Sequence, residues 1–307
     1  MRGAGLIVGS GDIRLFAVCL VAAGAAGAAV PCRYGPPRQV ATVRDERLDE
    51  CSGLAASRRN PGILWAHNDS GDGARLYALD MEGRTRAVVS VEGARAVDWE
   101  DIAAGPGPDG RPSLFIGDIG NNAHAREDLV VYCIPEPDLS GAGPEVRSEP
   151  ARALPFRYPD GRFDAEALMA HPRTGALTII TKRAEETTGI YRFPKPLRPG
   201  ERVTLERLGT LRLPVPSIWG RMVTAADIAP GGERCVLRTY LSIMEFRVAP
   251  GRRLEDALAG EPAEVPAPPE LQGEAIAYRA DGEGLVTLGE GRRPRLYLIP
   301  CVDPASE

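Results

Sequence analysis

Five short stretches of this chain follow one pattern, a polar or acidic lead into a run of small and aliphatic residues. They are ECSGLAAS around Leu54, DWEDIAAG around Ile102, DAEALMAH around Leu168, TAADIAPG around Ile228 and QGEAIAYR around Ile276. They recur roughly every 50–65 residues, a period that marks propellers and solenoids, whose units bury their apolar faces only against their neighbours. Joining the two chain ends supplies a fifth interval of similar length, so the pattern closes into a circle of five units.

Each unit repeats one order of strand-like runs. The first holds SGLAAS, ILWAHND, RLYALD and RAVVSVE; the second EDIAAG, SLFIGDI, LVVYCIP and ARALPFRY; the third EALMAH, LTIITK, GIYRFP and VTLERLGTL. The fourth holds ADIAP, CVLRTY, SIMEFRV and a weak last strand within 253–266. The fifth, EAIAY, GLVTLGE and RLYLIPC, is one strand short, and RQVATV (Arg38 to Val43) is the strand expected to complete it. Four antiparallel strands per unit predict an all-β fold, a single β-propeller of five blades closed by an N-terminal strand, with six blades as the alternative. The 35 glycines and 28 prolines suit many turns, and RLEDALAG (253–260) is the one short helical candidate.

The N-terminus reads as an export signal. LFAVCLVAAGAAGAAV (Leu15 to Val30) is apolar with small-residue cleavage sites such as Ala26-Gly27-Ala28, and it is shorter than the roughly 20 residues that span a bilayer. Residues 1–28 are therefore expected to be removed, leaving a propeller domain over 29–307, secreted or in the cell envelope; a retained anchor is the alternative. A net charge of −5 without a basic tract argues against nucleic acid and against an anionic membrane surface. No C-x-x-C occurs, which removes zinc-ribbon and thioredoxin chemistry. Cys32 and Cys301 fall in the same blade once the ring is closed, and export permits a disulfide between them.

Two residues before each aliphatic anchor stand Ser52, Glu100, Glu166, Ala226 and Glu274; four before it stand Glu50, Asp98, Asp164, Thr224 and Gln272. Side chains alternate along a strand, so both sets are expected on one face, around the mouth of the central channel. Any one acid could simply cap its own strand. A ring of them repels itself unless a cation sits among them, and an all-oxygen donor set suits Ca²⁺ before Mg²⁺ and both before zinc. Glu50, Ser52, Asp98, Glu100, Asp164, Glu166 and Glu274 are the candidate metal ligands. Asp101 is out of phase with them and is expected to face away, satisfying backbone groups or a neighbouring blade.

The second strands return to the same mouth, bringing His67, Asn68, Asp69, Asp118, Asn121, Lys182, Arg183, Arg238 and Glu290. Strand ends are polar in any case. Here, however, the acids and amides sort to blades 1, 2 and 5, and the bases to blades 3 and 4. Asn68, Asp118, Asn121, Lys182, Arg183, Arg238 and Glu290 are candidate ligand contacts, with His67 or Asp69 to handle a proton. No G-x-S-x-G, H-E-x-x-H or P-loop occurs, and GPGPDG (Gly105 to Gly110) lacks the following helix that a phosphate-binding loop needs. Trp65 and Trp99 are expected between blades. Trp219 is expected in the core too, with a place over the mouth beside Arg221 as the alternative.

The stretches SGLAASRRNPGILWAHNDSGD, DWEDIAAG, LFIGDIGNN, DAEALMAHP and QGEAIAY resemble a group of exported bacterial β-propeller proteins over most of the mature chain. More loosely, the blade plan is similar to phytase-like propellers and to five-bladed calcium-activated nucleotidases. In the latter an inner ring of Glu and Ser holds Ca²⁺, which the resemblance maps onto Ser52, Glu100, Glu166 and Glu274; Ala226 breaks the pattern in blade 4. Fold analogy alone does not license the activity. Two functions follow as expectations: a cation-dependent hydrolase of a small phosphoester or ester, or a non-catalytic propeller with a structural Ca²⁺ that binds a ligand or a protein partner.

Overall fold

The computed structural model describes residues 32–213, 215–270 and 272–302; the expected signal segment and its cleavage site lie outside them. The described chain begins with β1 (Arg33–Tyr34) and β2 (Arg38–Thr42). Blade 1 is β3 (Cys51–Ala56), β4 (Ile63–Asn68), β5 (Arg75–Asp80) and β6 (Thr85–Ser90). Blade 2 comprises β7 (Trp99–Pro106), β8 (Pro112–Asp118), β9 (Val130–Pro135), β10 (Glu145–Arg147) and β11 (Arg152–Arg157). Blade 3 is β12 (Ala165–Ala170), β13 (Leu177–Thr181), β14 (Thr187–Arg192), β15 (Val203–Thr204) and β16 (Glu206–Arg212). A helical turn, α1 (Ile218–Arg221), leads into blade 4: β17 (Val223–Ile228), β18 (Arg234–Thr239), β19 (Ile243–Arg247), α2 (Leu254–Leu258) and β20 (Ala263–Val265). Blade 5 contributes β21 (Ala275–Tyr278), β22 (Gly284–Leu288) and β23 (Arg295–Val302).

These strands form five sheets, a five-bladed β-propeller. The ring closes as the sequence predicts: β2 pairs antiparallel with β23 as the missing outer strand of blade 5. β1 pairs with the far end of β23, where a Cys32–Cys301 disulfide joins the two chain ends. Removing such a link from a ring held shut by one terminal strand should cost about 2–5 kcal/mol. One addition, β10, carries no signal in sequence, and the other divides a strand expected as one: VTLERLGTL splits into β15 and β16, and only β16 pairs within blade 3. The short β10 and β15 are lent sideways as parallel fifth strands to β6 of blade 1 and β11 of blade 2.

Five apolar clusters, one between each pair of adjacent blades, hold the ring together. The aliphatic anchors belong to them: Ile102 packs with Trp65 and Trp99 between blades 1 and 2, and Leu168 with Phe115 and Phe156 between blades 2 and 3. The anchors therefore face a neighbouring blade, and period-two alternation does not carry them to the channel. The cause is a bulge. Pairing of the inner strand with the second strand skips a residue at Ser52, Glu100, Glu166 and Thr224, and an extra residue of this kind re-aims the side chains around it.

The bulge also corrects the frame of blade 4. Ala226 pairs with Leu237 as Ile102 pairs with Ile116, so Ala226 is the anchor there and Thr224 fills the ring position. Ile228 drew the alignment two residues too far because alanine is a weak apolar landmark. The ring set is thus Ser52, Glu100, Glu166, Thr224 and Glu274. Below it, Asp101 satisfies backbone groups and neighbouring blades as expected, but it reaches across to blades 3 and 4 instead of facing away. Its carboxylate accepts the amides of Ile102 and Leu168 at 2.9 and 2.8 Å and that of Ala226 at 3.4 Å. One fully buried acid thereby ties blades 2, 3 and 4 together beneath the mouth.

Candidate functional site

The inner strands start at the mouth and the second strands end there, so strand starts and strand ends meet around the axis. Three acids converge on the blade 1–2 side. Asp69, on the turn after β4, and Asp98 and Glu100, at the start of β7, bring one oxygen each within 4.8 Å of one another. Glu100 is 3% exposed, and the nearest side-chain hydroxyl is Ser52 Oγ, 3.5 Å from Oε2; Ser52 spends its stronger bond, 2.7 Å, on the Glu100 carbonyl. Gly120 makes the approach possible. A Cβ there would stand 2.2 Å from Glu100 Oε1 and 2.4 Å from Asp98 Oδ2, so the two carboxylates occupy the space a side chain would take.

The surrounding polar residues set this geometry instead of opening onto it. Asp118 is buried and accepts the amides of Val97 and Asp98 while it pairs with Arg126 at 2.7 Å. Asn68 accepts the amide of Glu50 and donates to the carbonyl of Arg47. The Asn121 side chain accepts the backbone amide of Arg126, and the backbone amide of Asn121 donates to Asp164 at 2.6 Å. Glu50 is exposed, outside the converging trio.

Elsewhere on the ring, Glu166 is compensated from within the chain and Glu274 bonds only to neutral and acidic neighbours among the described residues. Glu166 is hydrogen-bonded to Lys182 Nζ, which also donates to the Tyr240 hydroxyl at 2.8 Å. Glu274 faces Gln272 at 3.4 Å, and Gln272 donates to Glu290 at 2.8 Å. Thr224 donates to the carbonyl of Gly273 at 2.6 Å.

Electrostatics follow burial first. Burial, then the charges of Glu166, Asp69, Asp98 and Asp164, push Glu100 well above the ordinary carboxylate range. Asp69 is raised to about 6 by burial against the opposing Ser70 amide, with Asp98, Glu290 and Glu50 adding to the rise. Glu166 is raised to about 8, burial outweighing Lys182, and Glu274 to about 9, by burial and a hydrogen bond with Glu290. Burial disfavours charge on Lys182 as well, but Glu166 and Tyr240 more than offset it and keep the ammonium charged.

Two expected participants lie beneath the mouth. His67 is fully buried: its Nδ1 is 2.8 Å from the carbonyl of Asn68, its ring is edge-on to Trp99 at 5.6 Å, and a Cβ on Gly53 would collide with its Nε2. Burial holds its pKa down to about 4, so the ring is neutral near pH 7. Arg238, 2% exposed, is bound to Glu270 at 2.5 Å and to the carbonyl of Ala275. With Lys182 turned inward to Glu166, the expected basic arc keeps only Arg183 open to solvent.

A cleft of about 620 Å³ opens at the mouth across blades 2 to 4, lined by Phe163, Asp164, Lys182, Arg183 and Tyr240 together with Arg162, His124 and Glu185. Sequence reasoning passed over Gly120, Arg126, Arg162, Phe163 and Tyr240. Trp219 departs from its expected core position: it is 57% exposed and edge-on to Tyr240 at 5.5 Å, whereas Trp65 and Trp99 are buried between blades as expected.

The trio is a donor set of the kind a hard cation takes: carboxylate oxygens only, converging over a backbone cradle that a Cβ would fill. No protein-family model and no curated protein matches this chain. Among solved structures it is similar to the PQQ-bound form of aldose sugar dehydrogenase from Streptomyces coelicolor, with a TM-score of 0.51 and 11% sequence identity. The likeness covers 88% of this chain and 99% of that one, and at that identity it is a likeness of fold.

Proposed function

We propose that the protein is an exported propeller that holds a divalent cation, Ca²⁺ before Mg²⁺, on Asp69, Asp98 and Glu100, and binds a small anionic ligand beside it. The observation that carries this is Glu100, a buried carboxylate facing two others with no cationic side chain bonded to it among the described residues. A buried charge without a partner is costly, and a bound cation inverts that cost. When bound, such an ion attracts and polarises a phosphate or carboxylate oxygen. Arg183 and Arg162 line the cleft, paired with Glu185 and Glu127, and an anion there would take over charged hydrogen bonds from those acids. Asp69 and Asp98, both partly exposed, are the groups of the trio placed to exchange a proton with solvent, with Asp69 on the turn after β4. The Cys32–Cys301 disulfide supports the export reading.

Hydrolysis of a phosphoester or ester is the reaction class this arrangement suits. The burial of His67 takes the expected histidine away from the mouth and favours the second reading, a non-catalytic propeller in which the ion is structural and the mouth binds a ligand or a protein. Turnover of a panel of phosphoesters, carboxylic esters and lactones, with Ca²⁺ and with chelator, separates the two. PQQ, which the Streptomyces neighbour binds, joins the panel as a binding probe. Chelator-sensitive turnover supports the hydrolase, and ligand binding with no turnover supports the second reading. Neither binding nor turnover in the presence of Ca²⁺ would overturn the proposed ligand site.

A further inference from the structure

Resting on that reading of the mouth, we infer that the anion it binds carries a flat aromatic ring, seated in the mouth cleft against Phe163, Tyr240 and Trp219. A bare phosphate or short carboxylate needs far less room than about 620 Å³, a volume within the range of sites that enclose a small organic molecule. The walls have the matching chemistry. Phe163 and Tyr240 line the cleft, and each ring already faces a cation: the Arg183 guanidinium lies 5.8 Å from the Phe163 centroid and Lys182 Nζ lies 5.0 Å from that of Tyr240. Flat cation–aromatic surfaces of this kind stack on a further ring.

Trp219 extends the wall from Tyr240 outward, edge-on, with more than half its surface in solvent. Leaving an indole exposed forfeits the burial that holds the other two tryptophans in the core. The exposure is part of a local pattern. Of the five large apolar residues exposed among the described residues, Ile218, Trp219 and Leu241 sit on α1 and on the turn after β18, next to Tyr240. The chain of contacts from Trp219 to Tyr240 to Lys182 to Glu166 then links the rim to the acid ring. A ring on the wall would have its anionic substituent on the side of Arg183, which lines the same cleft.

The probes are phenyl phosphate and methyl phosphate, which share the anion and differ in the ring, titrated into the full chain with Ca²⁺ present. Because Trp219 is the exposed tryptophan of the three, its emission and its quenching by iodide report on the wall directly. Phenyl phosphate is expected to bind about tenfold more tightly than methyl phosphate, the scale of one aromatic stacking contact, and to shield Trp219 from iodide. Trp219→Ala should bring the two affinities to within about twofold of each other. Equal affinities in the unaltered chain, or a preference that survives Trp219→Ala, would overturn the ring site while leaving the anion site standing. Binding of neither ester would remove the anion site, and the ring site with it.

Discussion

Glu100 and Glu166 occupy the same bulged position on adjacent inner strands, both buried, yet they meet opposite surroundings. In blade 3 the returning strand delivers Lys182, which bonds to Glu166 and is held in turn by Tyr240. In blade 2 it delivers Gly120, whose missing side chain lets Asp98 and Glu100 crowd together with Asp69. The difference teaches that the ring position alone does not make a cation site. What the second strand brings to the mouth decides whether a ring acid is neutralised from within the chain or left for an ion.

The largest effect expected from breaking this contrast lies on the compensated side. Lys182→Met strands Glu166 in a buried position and should cost up to about 3 kcal/mol of unfolding free energy at alkaline pH, less near pH 6, where Glu166 takes up a proton; denaturant titrations at the two pH values check it. On the uncompensated side, Gly120→Ala pushes a methyl group into both carboxylates. It should weaken Ca²⁺ binding at least about tenfold, read by calorimetry, because a misplacement of ligands by a fraction of an ångström is not tolerated at a preorganised site.

Glu100→Gln removes the repulsion and should raise the stability of the chelator-treated protein by about 1 kcal/mol, an increase that chemical denaturation would detect. The pH dependence runs the same way. Asp69, Glu166 and Glu274 have folded values near 6, 8 and 9, above their unfolded ones, so between the two values the folded state binds more protons than the unfolded. Stability without Ca²⁺ should therefore fall as pH rises from about 5 to about 9, and Ca²⁺ should flatten the fall over the range set by Asp69. Melting curves across that range, with and without chelator, test the sign. The smallest effect belongs to the ring position that carries no charge. Thr224→Val loses one buried hydrogen bond to Gly273, should cost about 1 kcal/mol, and should leave the Ca²⁺ response intact.

Most of the blade plan was legible because each strand is an apolar run bounded by turn residues, and because five imperfect copies correct one another. RQVATV could be assigned to blade 5 for the same reason: a unit one strand short needs it. The bulge was not legible. It is a property of pairing between strands, and it turned Asp101 toward the axis, while blade 4 was framed on Ile228 instead of Ala226 because alanine is a weak apolar landmark. β10 was silent, since three residues lent to a sheet edge leave no periodic trace, and β15 ran on into β16 as one apparent strand, VTLERLGTL, whose division between two blades is a matter of pairing. At the mouth, residue type identified the acids but not their partners. Nothing local to Lys182, Arg183 or Arg238 says which of them turns inward, and only the packed structure shows Lys182 on Glu166 and Arg238 on Glu270.

The central claim is that Asp69, Asp98 and Glu100 form a cation site while Glu166 does not. Calorimetric titration of Ca²⁺ into chelator-stripped protein tests it most directly, with the unaltered chain compared against Asp98→Asn and Glu166→Gln. The expected result is one Ca²⁺ per chain, lost in Asp98→Asn and kept in Glu166→Gln. No binding to the unaltered chain, or binding that Asp98→Asn leaves unchanged, would contradict it.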